Sequence, residues 1–445
     1  MHKNEKLAMP QSYTKWMLAT LPANIAYAPL SSLVPLYILS LGGSALYVAI
    51  AVMGFNAVGM VMAFVLGKLA DTTRKRKPFI MLSYIGITAL LFLMYFANSI
   101  YDVAILYASV AIFQAANATP YNLLVMETDQ KENWSKSFSR LQAISGSGMV
   151  IGLLIAAALT DFTGLRFVIL VFAVASLIST LMAQSLLIEP TVSIKANKSG
   201  LKQIEGRILQ VNSIVFAMLS YPFRFINLYK YILDFRNTKR QVINSIKTPF
   251  ALLCISWLFF NLGQSMVNTE YAASLHIHGL SLSTTFFVIM IAMIVQVTLF
   301  YYAREILYKD RLYETTAAMI GIRSISYVFI GITFIFMGLI FLLSNLVLYT
   351  LVAGYSYPLY YTASYTVMFL VIGDSKRGSA LGLYNGVGWL GYFLGSLITG
   401  IMLLLGFTFL YIMAGIMIAI SFYAFTKVVK PQLDDAAGAA KLSAA

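Results

Sequence analysis

Between the second and third apolar stretches the chain reads Gly67-Lys68-Leu69-Ala70-Asp71-Thr72-Thr73-Arg74-Lys75-Arg76-Lys77. Five bases and one acid fall within these eleven residues, and the apolar runs that flank them, about 44–67 and 78–98, are each long enough to cross ~30 Å of hydrocarbon as a helix. Backbone N–H and C=O groups must be satisfied internally in lipid, so two such runs around a short basic turn predict a transmembrane helical hairpin. The positive charge of the turn predicts which side of the membrane it occupies, the cytoplasmic one.

Working outward, the same pattern repeats. Membrane-length apolar runs lie at about 16–40, 44–67, 78–98, 103–126, 141–160 and 165–187, and again at about 249–272, 281–303, 317–342, 346–372, 379–403 and 406–426. Composition agrees, since 60% of the 445 residues are hydrophobic and only 11% are charged, too few to clothe a water-soluble surface. With the amino terminus in the cytoplasm, 29 of the 31 Lys and Arg residues fall in inner segments; the exceptions are Arg166 in an outer turn and Arg323 inside the ninth run. The net charge of +14 is therefore a topology signal that faces an anionic lipid leaflet, and it does not indicate nucleic-acid binding. Both termini are expected in the cytoplasm of a multi-pass protein of the cell (cytoplasmic) membrane.

Three domains are expected: a six-helix bundle over 1–187, a cytoplasmic linker over 188–247, and a second six-helix bundle with its tail over 248–445. Within the linker, bases from Arg207 to Arg240 interleave with Phe223, Phe225, Tyr231 and Phe235, a mixture that suits amphipathic helices lying in the membrane interface. A thirteenth crossing there would move eight later bases to the outside. The fifth and eleventh runs carry glycines four apart, Gly148 with Gly152 and Gly391 with Gly395, and these small faces are expected to form the contact on which the halves move.

Gly-x-Leu-Ala-Asp followed by a basic cluster resembles the signature loop of the major facilitator superfamily, and the 6+6 division extends the resemblance over nearly the whole chain. The resemblance implies an all-α fold of twelve transmembrane helices in two pseudo-symmetric six-helix bundles, secondary transport by alternating access of a rocker-switch kind, and no cofactor. It also implies a gating latch at Gly67, Asp71, Arg74, Lys75 and Arg76 that ties the inner ends of the halves in one state. Physically, Asp71 among these bases is a carboxylate that can pair with a cation or cap a helix. Thr72 and Arg74 depart from the family pattern, which has a base and a glycine there.

Polar residues inside apolar runs mark where a solute passes. Asn24, Tyr27 and Ser31 share one face of the first run, and Gln114, Asn117 and Tyr121 one face of the fourth. Asn261, Gln264, Ser265 and Asn268 do so on the seventh, while Tyr357, Tyr361 and Tyr365 stand on the tenth beside Pro358, which is expected to loosen that helix. Asn385 and Trp389 on the eleventh are further candidates. Amides and phenols hydrogen-bond hydroxyls and stack on apolar faces, so the expected partner is a small polar or amphipathic, uncharged solute, with membrane lipids around a monomer. Candidates for ion coupling are Glu270, Asp161 and Arg323, although for Arg323 snorkelling to the inner interface is the favoured reading. A multidrug-type efflux carrier is the alternative within the same class, and an integral-membrane enzyme the alternative from another. Neither enzyme nor metal chemistry is expected, because no paired acids or nucleophile stand at one membrane face, His276 and His278 have no third ligand near in sequence, and Cys254 is the lone cysteine.

Overall fold

The computed structural model describes residues 11–73, 76–128, 134–187, 249–306, 312–372 and 377–428. Twelve helices among them are long and apolar enough to cross a membrane: spans 1 to 6 at Lys15–Ser40, Ala45–Ala63, Lys77–Phe96, Ile100–Asn117, Arg140–Thr163 and Leu165–Leu186, and spans 7 to 12 at Phe250–Ile277, Leu282–Tyr302, Leu312–Thr333, Gly338–Ser364, Tyr384–Leu405 and Phe407–Thr426. The expected linker 188–247 lies outside the described residues.

Two spans are interrupted where proline dictates. Span 1 runs as a helix over Thr20–Tyr27, breaks at Ala28-Pro29 and resumes over Leu30–Ser40. Span 10 begins as an α-helix at Gly338–Tyr349, widens into a seven-residue π-helix over Thr350–Ser356, and continues as an α-helix from Tyr357 to Ile372. Pro358 offers no N–H to the carbonyl four residues earlier and crowds it, so the turn before it widens. This is the loosening expected beside Pro358, displaced to its amino-terminal side.

Most span boundaries agree with the apolar runs. The turn between spans 9 and 10 does not: it lies at Phe334–Met337, ahead of Gly338 at φ 62°, about eight residues before the expected break at Ser344-Asn345. Asn345 is not a loop residue. It is fully buried and donates through Nδ2 to Thr333 Oγ1 at 2.9 Å and to the Phe341 carbonyl at 3.0 Å, while the true turn is made of the apolar residues Ile335, Phe336 and Met337.

The halves repeat each other in detail. A Cβ on Gly148 would strike the Leu21 carbonyl, and one on Gly152 the Ile25 carbonyl, so span 5 lies backbone to backbone on span 1. Likewise a Cβ on Gly391 would come 2.7 Å from the Leu258 carbonyl, and one on Gly395 would strike that of Leu262, so span 11 lies on span 7. These glycines were expected between the halves; they hold each half together instead. Close approach needs residues without a Cβ wherever carbonyls come this near, and that need arises inside a bundle as readily as between bundles.

The two seams between the halves run along spans 2 and 11 and along spans 5 and 8. In the first, the Trp389 ring lies in a notch at Gly59, Asn56 Nδ2 donates to the Tyr392 carbonyl at 3.4 Å, and Gly400 meets Leu46 and Ala49. In the second, Gly146 packs on Val297, and Ser283 donates its N–H to Asp161 Oδ1 at 3.3 Å and its hydroxyl to the Ala157 carbonyl. The Ser283 and Gly400 contacts lie toward the face that carries the short turns, opposite the termini.

Candidate functional site

In the first half the polar groups of spans 1, 3 and 4 gather into one set. Asn24 donates Nδ2 to the Thr20 carbonyl at 2.7 Å, which fixes its amide, and both Asn24 and Asn117 lie close to the Tyr27 hydroxyl. Asn117 also donates to Ser83 Oγ at 2.9 Å. Asn24, Tyr27 and Gln114 are half-buried, whereas Asn117 is buried. Tyr121 does not join them. Its ring stacks on Trp16 at 5.7 Å within the packed core of Tyr84, Leu124, Leu141 and Leu187.

The second half repeats the motif with more aromatics. Asn261 donates Nδ2 to the Trp257 carbonyl at 2.7 Å, and Gln264, buried with its Oε1 unpartnered, lies close to the Tyr392 hydroxyl. The Tyr392 carbonyl accepts from Ser265 Oγ at 2.6 Å as well as from Asn56 of the other half. Tyr392 and Asn56 were not singled out from the sequence, although Asn56 is an isolated amide in an apolar run and Tyr392 directly follows Gly391. Asn268, expected on this face, is exposed. Trp389 belongs to the seam with span 2, and Asn385 one turn before it is half-buried.

On span 10, Tyr357 and Tyr361 are half-buried with ring centroids 5.7 Å apart, and each meets Phe300 of span 8 edge-on at 6.2 Å. The side chain of Tyr365 lies outside the described residues. Behind these tyrosines Trp257, Phe260, Tyr360 and Tyr384 form a stacked aromatic ladder, with Phe260 and Tyr360 centroids 3.8 Å apart and Trp257 and Tyr384 4.7 Å apart. Ladders of this kind contribute both apolar area and oriented ring faces.

Arg323 corrects a sequence reading most directly. It does not snorkel, since it sits midway along span 9 with 2% of its surface exposed and its guanidinium carbon 5.0 Å from the Phe260 ring and 5.4 Å from those of Tyr327 and Tyr357. Nε donates to the Tyr327 hydroxyl at 3.0 Å. Three rings supply a local substitute for water by cation–π attraction, so the side chain need not reach the interface. Glu270, on span 7, is fully buried and neither of its carboxyl oxygens has a hydrogen-bond partner. Asp161 is exposed and engaged at the span 5–span 8 seam.

Of the expected latch, Gly67 and Asp71 lie on the helix Ala45–Thr73 with their side chains outside the described residues, as are Arg74 and Lys75 altogether. Arg76 is buried. The adjacent Lys77 donates Nζ to the carbonyls of Gln184 at 2.9 Å and Leu187 at 2.7 Å, a cation closing the carboxyl end of span 6 within the same half. On the short-turn face, Arg166 donates to Tyr37 at 3.0 Å and to Asn98 at 2.6 Å, which makes it a tie between spans. The ring nitrogens of His276 and His278 donate to the carbonyls of Leu280 and Phe336, each at 2.8 Å.

The family model of the Major Facilitator Superfamily matches residues 16–349. No curated sequence relative matches. Among solved structures, the peptide transporter POT in complex with alafosfalin is similar at a TM-score of 0.71 with 13% identity, covering 96% of each chain. Tetrameric PepTSo2 is similar at 0.68 with 14% identity, over 95% of this chain and 98% of that one. The nucleoside transporter NupG is similar at 0.65 with 14% identity, over 94% and 100%. At these identities the structural likeness speaks for the fold alone, but the match of the family model spans most of the chain and agrees with the repeated halves. The chain belongs to the Major Facilitator Superfamily.

Proposed function

We propose that the protein is a secondary transporter that moves a small polar or amphipathic solute across the cytoplasmic membrane by alternating access, with both termini in the cytoplasm. The observation that carries this reading is the pair of matching polar sets, Asn24–Tyr27–Asn117 in one half and Asn261–Gln264–Tyr392 in the other. Buried amides are costly in a membrane interior, and a carrier needs them on both sides of the space its halves enclose. The contacts of Ser283 with Asp161 and of Gly400 with Leu46 and Ala49 hold the short-turn face together, which supports a state closed to the exterior.

Counterflow in proteoliposomes tests the reading. A carrier exchanges labelled for unlabelled solute with no product formed, and chemical turnover of every solute that binds would replace transport with catalysis. The stacked ladder of Trp257, Phe260, Tyr360 and Tyr384 favours a second reading, efflux of hydrophobic compounds, for which hydrophobic cations rather than polar solutes would exchange.

Three finer assignments belong to the same reading. Asp71 and the bases around it form the latch on the cytoplasmic side, so Asp71→Asn lowers turnover; unchanged flux in that variant removes the latch. Glu270, buried without a hydrogen-bond partner, carries the coupling proton in preference to the exposed Asp161. The linker 188–247 joins the six-helix bundles 1–187 and 248–445 along the inner membrane interface in a monomeric protein. Labelling of single cysteines in the linker from outside intact cells would contradict that placement, and light scattering in detergent reads the oligomeric state.

A further inference from the structure

Arg323 has more hydrogen-bonding capacity than the protein uses. A guanidinium carries five N–H donors, and here Nε is satisfied by Tyr327 while Nη1 is buried with no partner. Phe260, Tyr327 and Tyr357 stabilise the charge through their ring faces, but a ring face is a poor acceptor for the N–H edge that remains. Glu270 does not fill the gap. It stands ten residues beyond Phe260 on span 7, about 15 Å along the helix, and neither of its oxygens has a partner. Among the described residues no carboxylate pairs with Arg323, so a cation sits in the interior of a membrane bundle without a counter-anion, an arrangement whose cost calls for one.

We infer that Arg323 is the recognition site for a monoanionic carboxylate carried by the solute. The inference rests on the transport reading above and replaces the uncharged solute expected from the sequence. One embedded base neutralises one negative charge, which fits a carboxylate better than a phosphate dianion, and the planar fork of the guanidinium matches two carboxylate oxygens. Phe300, Tyr357 and Tyr361, each half-buried, supply flat apolar walls for the body of an aromatic or amphipathic acid, with Phe260 and Tyr360 stacked behind them. Access is controlled by Tyr357. Its ring contacts both the guanidinium and the half-buried Tyr361, and its backbone follows the π-helical segment Thr350–Ser356 and precedes Pro358, where the helix is least held by its own hydrogen bonds. At the start of that segment, Thr350 Oγ1 is another buried group with no partner.

The test uses the full chain in detergent, with benzoate, its neutral isostere benzamide, and chloride as an inorganic monoanion, all at matched ionic strength. Thermal unfolding and tryptophan fluorescence are the readouts. Benzoate is expected to raise the melting temperature saturably, with benzamide and chloride at least tenfold weaker. Arg323→Met abolishes the benzoate response and Arg323→Lys, which keeps the charge but not the fork, weakens it about tenfold. Equal responses to benzoate and benzamide, or a benzoate response retained in Arg323→Met, overturn the site. Chloride acting as strongly as benzoate assigns an inorganic anion and overturns the carboxylate. Should Arg323→Met not fold, Tyr327→Phe removes the oxygen that aims the guanidinium and must weaken benzoate at least fivefold; unchanged affinity there also overturns the proposal. Arg323-dependent binding of benzoate without counterflow of any solute would keep the site and sink the transport reading, so the two failures are separable.

Discussion

Asn24 and Asn261 are the same residue in two copies of one design: each donates Nδ2 to the carbonyl four positions earlier on its own helix, Thr20 and Trp257, at 2.7 Å in both cases. Each also has its Cβ at about 3 Å from where a Cβ would stand on the glycine of the helix beside it, 3.0 Å for Gly148 and 2.9 Å for Gly391. The back-bond orients the amide, leaving its oxygen to face a neighbour in place of its own helix, and the glycine brings that neighbour close. A polar group and the packing that positions it have been repeated together.

Replacing either asparagine by leucine removes an oriented acceptor while keeping the number and branching of the side-chain heavy atoms. A lost hydrogen bond to a bound solute is worth about 1–2 kcal/mol, so the concentration for half-maximal counterflow should rise roughly five- to thirtyfold in Asn24→Leu and in Asn261→Leu. Melting temperatures should stay close to that of the unaltered chain. Loss of stability with unchanged affinity would make these amides structural.

Valine at Gly148 or at Gly391 should act in the opposite way. A Cβ there meets backbone, which cannot swing aside, and overpacking of this kind costs about 1–3 kcal/mol. Both variants should unfold at lower temperature in detergent, by similar amounts, because both sit in the same place in their halves. A marked effect at one site and none at the other would contradict the repeat.

Much of this was legible in the sequence because it depends on neighbours along one helix. The twelve spans follow from apolar length, and the faces that hold Asn24, Tyr27 and Asn117 or Asn261 and Gln264 follow from 3.6-residue spacing. Spacing reports which residues share a face but not which helix that face meets. Gly148 and Gly391 were therefore assigned to the wrong partner, and the contact of Trp389 with Gly59 across the seam was not foreseen. Arg323 shows the same limit more sharply, since its cage is built from spans 7, 9 and 10, and no single stretch of chain announces it. Asn345 misled for a local reason: polar residues usually mark loops, and this one is satisfied deep inside the bundle by Thr333.

Closure of the short-turn face can be trapped. Ser283 donates its hydroxyl to the Ala157 carbonyl across the seam between spans 5 and 8, so cysteines at these two positions stand within reach of a short reducible bifunctional thiol reagent, with Cys254 replaced by alanine to remove the native thiol. Cross-linking of Ala157→Cys/Ser283→Cys should reduce counterflow at least tenfold, and a reducing agent should restore it. Full flux in the cross-linked protein would mean that this seam does not open during transport.

On the proposed coupling role, Glu270 separates exchange from accumulation. A coupling carboxyl must take up and release a proton in each uphill cycle, yet exchange of one solute molecule for another asks only that the halves swing with the site loaded. Glutamine keeps the shape of the protonated side chain and cannot release its proton. In Glu270→Gln proteoliposomes, counterflow should therefore persist within about threefold of the unaltered protein, whereas accumulation driven by an inward proton gradient should disappear, and with it the response of flux to a pH jump. Gradient-driven accumulation that survives in this variant would move the coupling site elsewhere. Loss of both activities would show instead that the buried carboxyl holds the bundle in shape, a role that a drop in melting temperature would report independently.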